Sequence, residues 1–218
     1  MRLRITFSKT GALRFTGHLD LHKVWERTAR RAGLPLTYSQ GFNPQPRIQI
    51  ASALPLGFTS QAEVIDLWLN AENGTVSWRE ADLGILLQSS APSGLTILAV
   101  ERVEEGEPAL QNRLASAEYE ITLLEPPAAD LTDRLTNLMR ADSLPRERRG
   151  RPYDLRPLIE RLELRKGKGS SPVRILMRLA NREGATGRPE EVLDELGIPF
   201  ERTRIERTRL IFREKGQE

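Results

Sequence analysis

The chain has 218 residues, 39% of them hydrophobic and 29% charged, a composition that fits a globular protein and excludes a fibrous or wholly disordered one. The absence of cysteine excludes disulfides, zinc–thiolate sites, iron–sulfur clusters and thiol nucleophiles. No window approaches the roughly 18 apolar residues that cross a bilayer, and no signal-peptide core follows Met1-Arg2-Leu3-Arg4, so a cytoplasmic protein with no membrane contact is expected.

The net charge of +3 conceals a strong segregation. Residues 1–50 hold nine Lys/Arg against two Asp/Glu, and residues 131–180 hold thirteen against six, +7 in each case. Residues 61–130 hold three against thirteen, a net of −10. Of the 33 basic residues 28 are Arg, whose planar fork suits phosphate or carboxylate, although a GC-rich coding sequence produces the same bias.

Residues 3–9 alternate apolar and polar, as a half-buried strand does. Thr16 and Gly17 offer an N-cap for a helix over 18–32, stopped by Gly33 with Pro35 beyond. The stretch 38–46 is dense in turn formers and predicts an irregular loop. Strands fit 47–53 and 62–69, a helix fits 77–89 and a strand fits 95–103, giving the order β-α-β-β-α-β. The acidic, turn-prone stretch 104–108 predicts a linker. Beyond it come a strand at 118–124, a helix at 131–140, a strand at 151–156, a short helix at 158–164 and a strand at 173–179. A helix over 189–196, begun by Pro and stopped by Gly197, and a strand over 203–212 complete the chain. Allowing for one inserted helix, the second half repeats the order of the first. The expected fold is α+β, two tandem ferredoxin-like (βαββαβ) units: a domain over 1–104, a linker over 105–116 and a domain over 117–218.

On a helical wheel for 18–32, Leu21, Val24, Trp25, Thr28, Ala29 and Ala32 share one side, and Lys23, Arg27, Arg30 and Arg31 form a strip on the other. The strip is either a solvated face or a surface that tracks phosphates. His18 and His22 stand four residues apart with Asp20 between them. Asp20 projects away from both imidazoles and there is no other histidine, so no metal site is expected. His18 is then a partly buried, hydrogen-bonded residue or a proton-transfer group.

The loop 38–47 combines two rings (Tyr38, Phe42), polar side chains that include Gln40 and Asn43, a glycine and Arg47. Stacking plus amide contacts would suit an unpaired nucleotide; the alternative is a rigid connector whose Tyr38 and Phe42 plug the core. In the second half Arg146, Arg148, Arg149 and Arg151 surround Gly150, and Lys166 and Lys168 lie in a glycine-rich turn. Both groups fit phosphate backbones as well as plain solvated loops. Asp154 and Arg156 are expected to form an internal ion pair.

The stretches Arg14-Phe-Thr-Gly-His-Leu-Asp20, Arg30-Arg-Ala-Gly-Leu-Pro35, Tyr38-Ser-Gln-Gly-Phe-Asn-Pro-Gln-Pro46, Leu54-Pro-Leu-Gly57, Tyr153-Asp-Leu-Arg-Pro157 and Gly187-Arg-Pro189 resemble a radical SAM-linked family of bacterial proteins of unknown function. The resemblance implies a partnership with a cobalamin-binding radical SAM protein, since members occur alone or attached behind such a domain. The family loop carries histidine where Gln45 stands here. At the level of predicted architecture the chain is also similar to the repeat-associated RNA-processing proteins of CRISPR systems.

The expected function is an RNA-binding or adaptor module, non-catalytic and without cofactor, that works with a radical SAM enzyme in RNA or ribosome modification or processing. Its nucleic-acid contacts would be Lys23, Arg27, Arg30, Arg31, Tyr38, Gln40, Phe42, Asn43 and Arg47, with Arg146, Arg148, Arg149, Arg151, Lys166 and Lys168. One alternative is a metal-independent endoribonuclease using His18, with Tyr38 as a weak second group. The other is a protein-interaction scaffold in which acidic and basic segments neutralise each other.

Overall fold

The computed structural model describes residues 1–70, 79–104, 106–165, 167 and 171–213. Two compact units emerge, Met1–Arg113 and Leu114–Glu218, each built of helices and antiparallel strands. With five α-helices among the described residues, the protein is of mixed α/β composition.

In the first unit β1 (Arg2–Lys9), α1 (His18–Arg31), β2 (Ile48–Ile50), β3 (Thr59–Trp68), α2 (Glu80–Ser90) and β4 (Leu95–Val103) succeed one another, followed by the four-residue helix α3 (Leu110–Arg113). β1 pairs antiparallel with both β3 and β4, and β2 with β3, giving the order β4-β1-β3-β2. The alternation along β1 sends Leu3, Ile5 and Phe7 to one face. There they join Ile65 and Leu67 of β3, Leu21, Trp25 and Ala29 of α1, and Leu83 and Leu87 of α2 in one core. The Phe7 and Trp25 rings meet edge-on, centroids 4.8 Å apart, a geometry that aromatic quadrupoles favour.

The period of two directs Arg2, Arg4, Asp66 and Trp68 to the opposite face. Asp66 is fully buried there. It accepts from Arg2 Nε at 2.7 Å and from Arg4 Nε at 3.0 Å, so this buried charge is paired from two sides. Only Ile48–Ile50 of the stretch 47–53 joins the ladder, and the expected start of the second helix at residue 77 lies outside the described residues.

The second unit runs β5 (Leu114–Leu123), α4 (Leu131–Arg140), β6 (Pro145–Arg148), β7 (Arg151–Asp154), β8 (Ile159–Arg165), β9 (Arg174–Arg182), β10 (Ala185–Thr186), α5 (Pro189–Glu195) and β11 (Thr203–Phe212). β5 lies between β11 and β9, and β8 and β10 both pair with β9, all antiparallel. Two expectations are corrected. Residues 158–164 are not a helix: the four-residue spacing of Leu158 and Leu162 imitates a helical stripe, yet 159–165 pairs with β9, which satisfies its backbone groups from outside the segment. Residues 151–154 belong instead to a separate two-stranded hairpin with β6. The supposed extra helix is therefore a strand of the sheet.

Candidate nucleic-acid interface

α1 divides as the wheel demands. Leu21, Trp25, Thr28 and Ala29 are buried, while Lys23, Arg27, Arg30 and Arg31 are exposed. Its cations are unequal, however. Lys23 lies 3.7 Å from Asp20, and Arg30 lies 2.8 Å from Glu26. Arg27 and Arg31 form no ion pair among the described residues, so they carry the free charge of the strip.

The loop after α1 is closed at its neck. Tyr38 and Pro46 form a bridge, the Ser39 N–H donates to the Gln45 carbonyl at 2.8 Å, and the Gln45 N–H donates to Ser39 Oγ at 3.0 Å. Beyond the neck Gln40, Gly41, Phe42, Asn43 and Pro44 are exposed. Tyr38 packs against the core, as the connector alternative requires. Phe42 does not: its ring stands wholly in solvent, which corrects the expectation that both rings plug the core. Arg30 ties loop to helix by donating to Tyr38 Oη from Nε at 3.1 Å and from Nη2 at 2.8 Å. The tether places the phenol and the strip side by side.

His18 and His22 face each other edge-on, ring centroids 5.0 Å apart. Burial lowers the pKa of His18, against a smaller upward pull from Glu63. Burial also lowers that of His22, helped by the neighbouring His18. His18 is half-buried as expected, but its Nδ1 has no hydrogen-bond partner among the described residues, which corrects the hydrogen-bonded picture. No third acidic or imidazole ligand completes a metal-holding group among the described residues.

The second-unit arginines behave differently. Arg146 lies 2.8 Å from Asp194 and 2.9 Å from Glu195. Arg148 lies 2.7 Å from Glu191, donates to the Thr186 carbonyl at 3.1 Å and covers the Tyr153 ring at 4.7 Å. Both are thus committed to acidic partners from α5 and its end, with little charge left for a polyanion. Arg149 and Arg151 are exposed at the tip of the β6–β7 hairpin, and Lys166 and Lys168 lie outside the described residues. Asp154 and Arg156 do not form the expected side-chain pair. Asp154 Oδ1 accepts from the backbone N–H groups of Leu144 and Arg156 at 2.8 and 2.9 Å, which hold its carboxyl below the usual range. The Arg156 guanidinium donates to the carbonyls of Met139 and Ile159.

Three features escaped the sequence reading. Phe15 is exposed, with the Arg14 guanidinium 4.6 Å from its ring centre; its place in the Arg14–Asp20 stretch was the available signal. Trp68 is flanked by Arg2 and Arg47, each 5.0 Å from its ring centre, and only strand register shows this. The acidic partners of Arg146 and Arg148 lie more than forty residues away, beyond the reach of local patterns.

Fold and site together define a two-unit mixed α/β protein whose uncompensated positive charge in the first unit adjoins an exposed aromatic loop. The chain belongs to the DUF2344 family, described as uncharacterized protein conserved in bacteria, whose profile matches residues 2–189. No curated protein matches it. No helix among the described residues is long and apolar enough to cross a membrane.

Proposed function

We propose that the protein is a non-catalytic RNA-binding module, built of two ferredoxin-like units, that presents RNA to a radical SAM partner enzyme. The strand orders β4-β1-β3-β2 and β11-β5-β9-β8 support the fold; the partner comes from the family resemblance. One observation carries the RNA contact: the Arg30–Tyr38 tether joins the loop that bears the exposed Phe42 to the helix that bears the free guanidiniums of Arg27 and Arg31. Guanidiniums supply the salt-dependent backbone term and the ring a stacking platform that tolerates any base. Arg146 and Arg148 drop out of the interface because α5 neutralises them.

The test is a salt titration of single-stranded RNA binding from about 50 mM upward. Wild-type protein binds with an affinity that falls steeply with salt. The Arg27→Gln/Arg31→Gln double variant flattens the slope, and Phe42→Ala weakens binding at every salt concentration. No affinity at about 50 mM salt, or affinity indifferent to salt, overturns the assignment. Pull-down from native cells with identification of both protein and RNA tests the partner.

The His18–His22 pair favours a second reading, a metal-independent endoribonuclease, because two adjacent imidazoles with lowered pKa are neutral near pH 7 and one can accept a proton. Cleavage of labelled RNA in EDTA that is lost in His18→Ala would select it over the adaptor.

A further inference from the structure

Strand register sets Trp68 opposite Arg2, and Arg2 opposite Val103. The three side chains therefore stand in a row on the sheet face opposite to the one α1 and α2 cover. Arg47 joins them, since its carbonyl accepts from the Trp68 N–H at 3.1 Å. Together with Arg102 and Ala109 these residues line an open groove of about 800 Å³.

The two guanidiniums on Trp68 differ in their commitments. That of Arg2 binds Asp66 and the carbonyls of Glu107 and Pro108, at 2.8 and 3.0 Å; it anchors the segment that forms one groove wall. That of Arg47 has no hydrogen bond or ion pair among the described residues. Stacking on a ring occupies the face of a guanidinium and leaves its N–H edge open. A guanidinium held over a ring, with no protein partner for its N–H groups among the described residues, can offer its fork to two oxygens of a phosphate. Arg102 contributes no second cation here: register sets it opposite Leu3, on the other face, where its guanidinium pairs with Glu80 of α2 at 3.3 Å. Two acids line the groove, Glu104 and Glu107, and Glu107 is taken by Arg113 at 2.9 Å. The groove far exceeds a bare anion, and Val103, Ala109 and the Trp68 ring give it apolar walls, so the anion must carry an organic body.

We propose that this groove binds a phosphomonoester of nucleotide size, its phosphate held by Arg47 over Trp68. The site uses no residue of α1 and does not require the RNA surface. A free nucleotide and the phosphorylated end of an RNA strand present the same chemistry.

Calorimetry on the full chain decides. Uridine 5′-monophosphate binds saturably, and uridine, lacking the phosphate, binds at least about tenfold more weakly. Arg47→Gln weakens the nucleotide at least about tenfold while the circular dichroism spectrum is unchanged, and Arg47→Lys, which keeps charge but not the fork, fails to restore it. Arg27→Gln/Arg31→Gln leaves nucleotide binding intact, so loss of RNA affinity in that variant cannot be mistaken for loss of this site. A preference for 5′-phosphorylated over 5′-hydroxyl RNA names the strand end as the source, and equal affinity names the free nucleotide. No saturable binding up to about 1 mM nucleotide, or equal affinity in Arg47→Gln, overturns the proposal.

Discussion

The Arg30 guanidinium donates two hydrogen bonds to the hydroxyl of Tyr38, eight residues later in the chain. The phenol and Glu26 raise the already high pKa of Arg30 further, the hydrogen bond it donates to Tyr38 contributing most. This cation is therefore a strut rather than a free ligand for phosphate. Tyr38→Phe keeps the ring in the core but removes the acceptor. Both groups being exposed at their tips, the melting temperature should hold, while RNA affinity falls a few-fold as the loop loses its orientation. A paired measurement of thermal melting and RNA binding on this variant checks it; unchanged affinity would show that the tether does not position the loop.

Acid should weaken the fold through the histidine pair. Burial lowers the pKa of both imidazoles in the folded protein, so the unfolded chain takes up protons first as pH drops. The contribution is present in full above the ordinary imidazole value of about 6.5 and is lost as pH falls toward the lower folded values. Urea denaturation at about pH 7.5 and about pH 5.5 should give a lower midpoint in acid, and the gap should narrow in His22→Gln. An identical gap in that variant would place the acid sensitivity outside the histidine pair.

Arg149 is the one described non-glycine residue with positive φ, 53°, at the tip between Arg148 and Arg151, which pair across the hairpin. With Gly150 at φ 74°, both tip residues are left-handed, as the tight turns that suit strand twist require. Asparagine occupies this region at lower cost. Arg149→Asn should therefore stabilise the protein by about 0.5–1 kcal/mol, read as a higher urea midpoint with unchanged slope.

Much of this architecture is legible in residue order, and the illegible parts share a cause. The buried face of α1 follows from the spacing of Leu21, Trp25 and Thr28, and β11 from the alternation in 203–212, because both patterns repeat within one element. Residues 159–165 mislead because Leu158 and Leu162 satisfy a helical period, and only the presence of β9 as a partner decides for strand. The same holds at the candidate site. The strip on α1 is local and visible, whereas the neutralisation of Arg146 by Asp194, 48 residues on, and the approach of Arg47 to Trp68 depend on the completed fold.

Two glycines separate backbone strain from steric clash. Gly94 has φ of +88°, and a Cβ there would lie 2.5 Å from the Thr10 carbonyl oxygen, at the close approach where the Thr10 N–H donates to the Gly94 carbonyl at 2.8 Å. Gly33, at φ +68°, would place its Cβ in open space. Gly33→Ala should cost about 1 kcal/mol, the price of a left-handed residue, and Gly94→Ala at least about 2 kcal/mol, since the backbone must also shift. Equal midpoints for the two variants in urea denaturation would refute the close approach at Thr10.

Arg148 carries the contrast between structure and recognition. Burial lowers its pKa, but the hydrogen bond and charge of Glu191 outweigh this and leave the net shift upward. Its side chain also satisfies the Thr186 carbonyl and covers Tyr153, locking the hairpin to α5 and the β10 edge. Arg148→Met keeps most of the aliphatic volume and strands Glu191 without its cation. A hydrogen bond to a charged group contributes about 1.5–3 kcal/mol; because the pair is partly exposed, the loss should fall at or below the lower end, about 1 kcal/mol. RNA affinity should not change, as the guanidinium is already spent on a carboxylate. Stability by urea denaturation and affinity by salt titration must be read on the same variant: a stable protein with weakened RNA binding would return Arg148 to the RNA contacts.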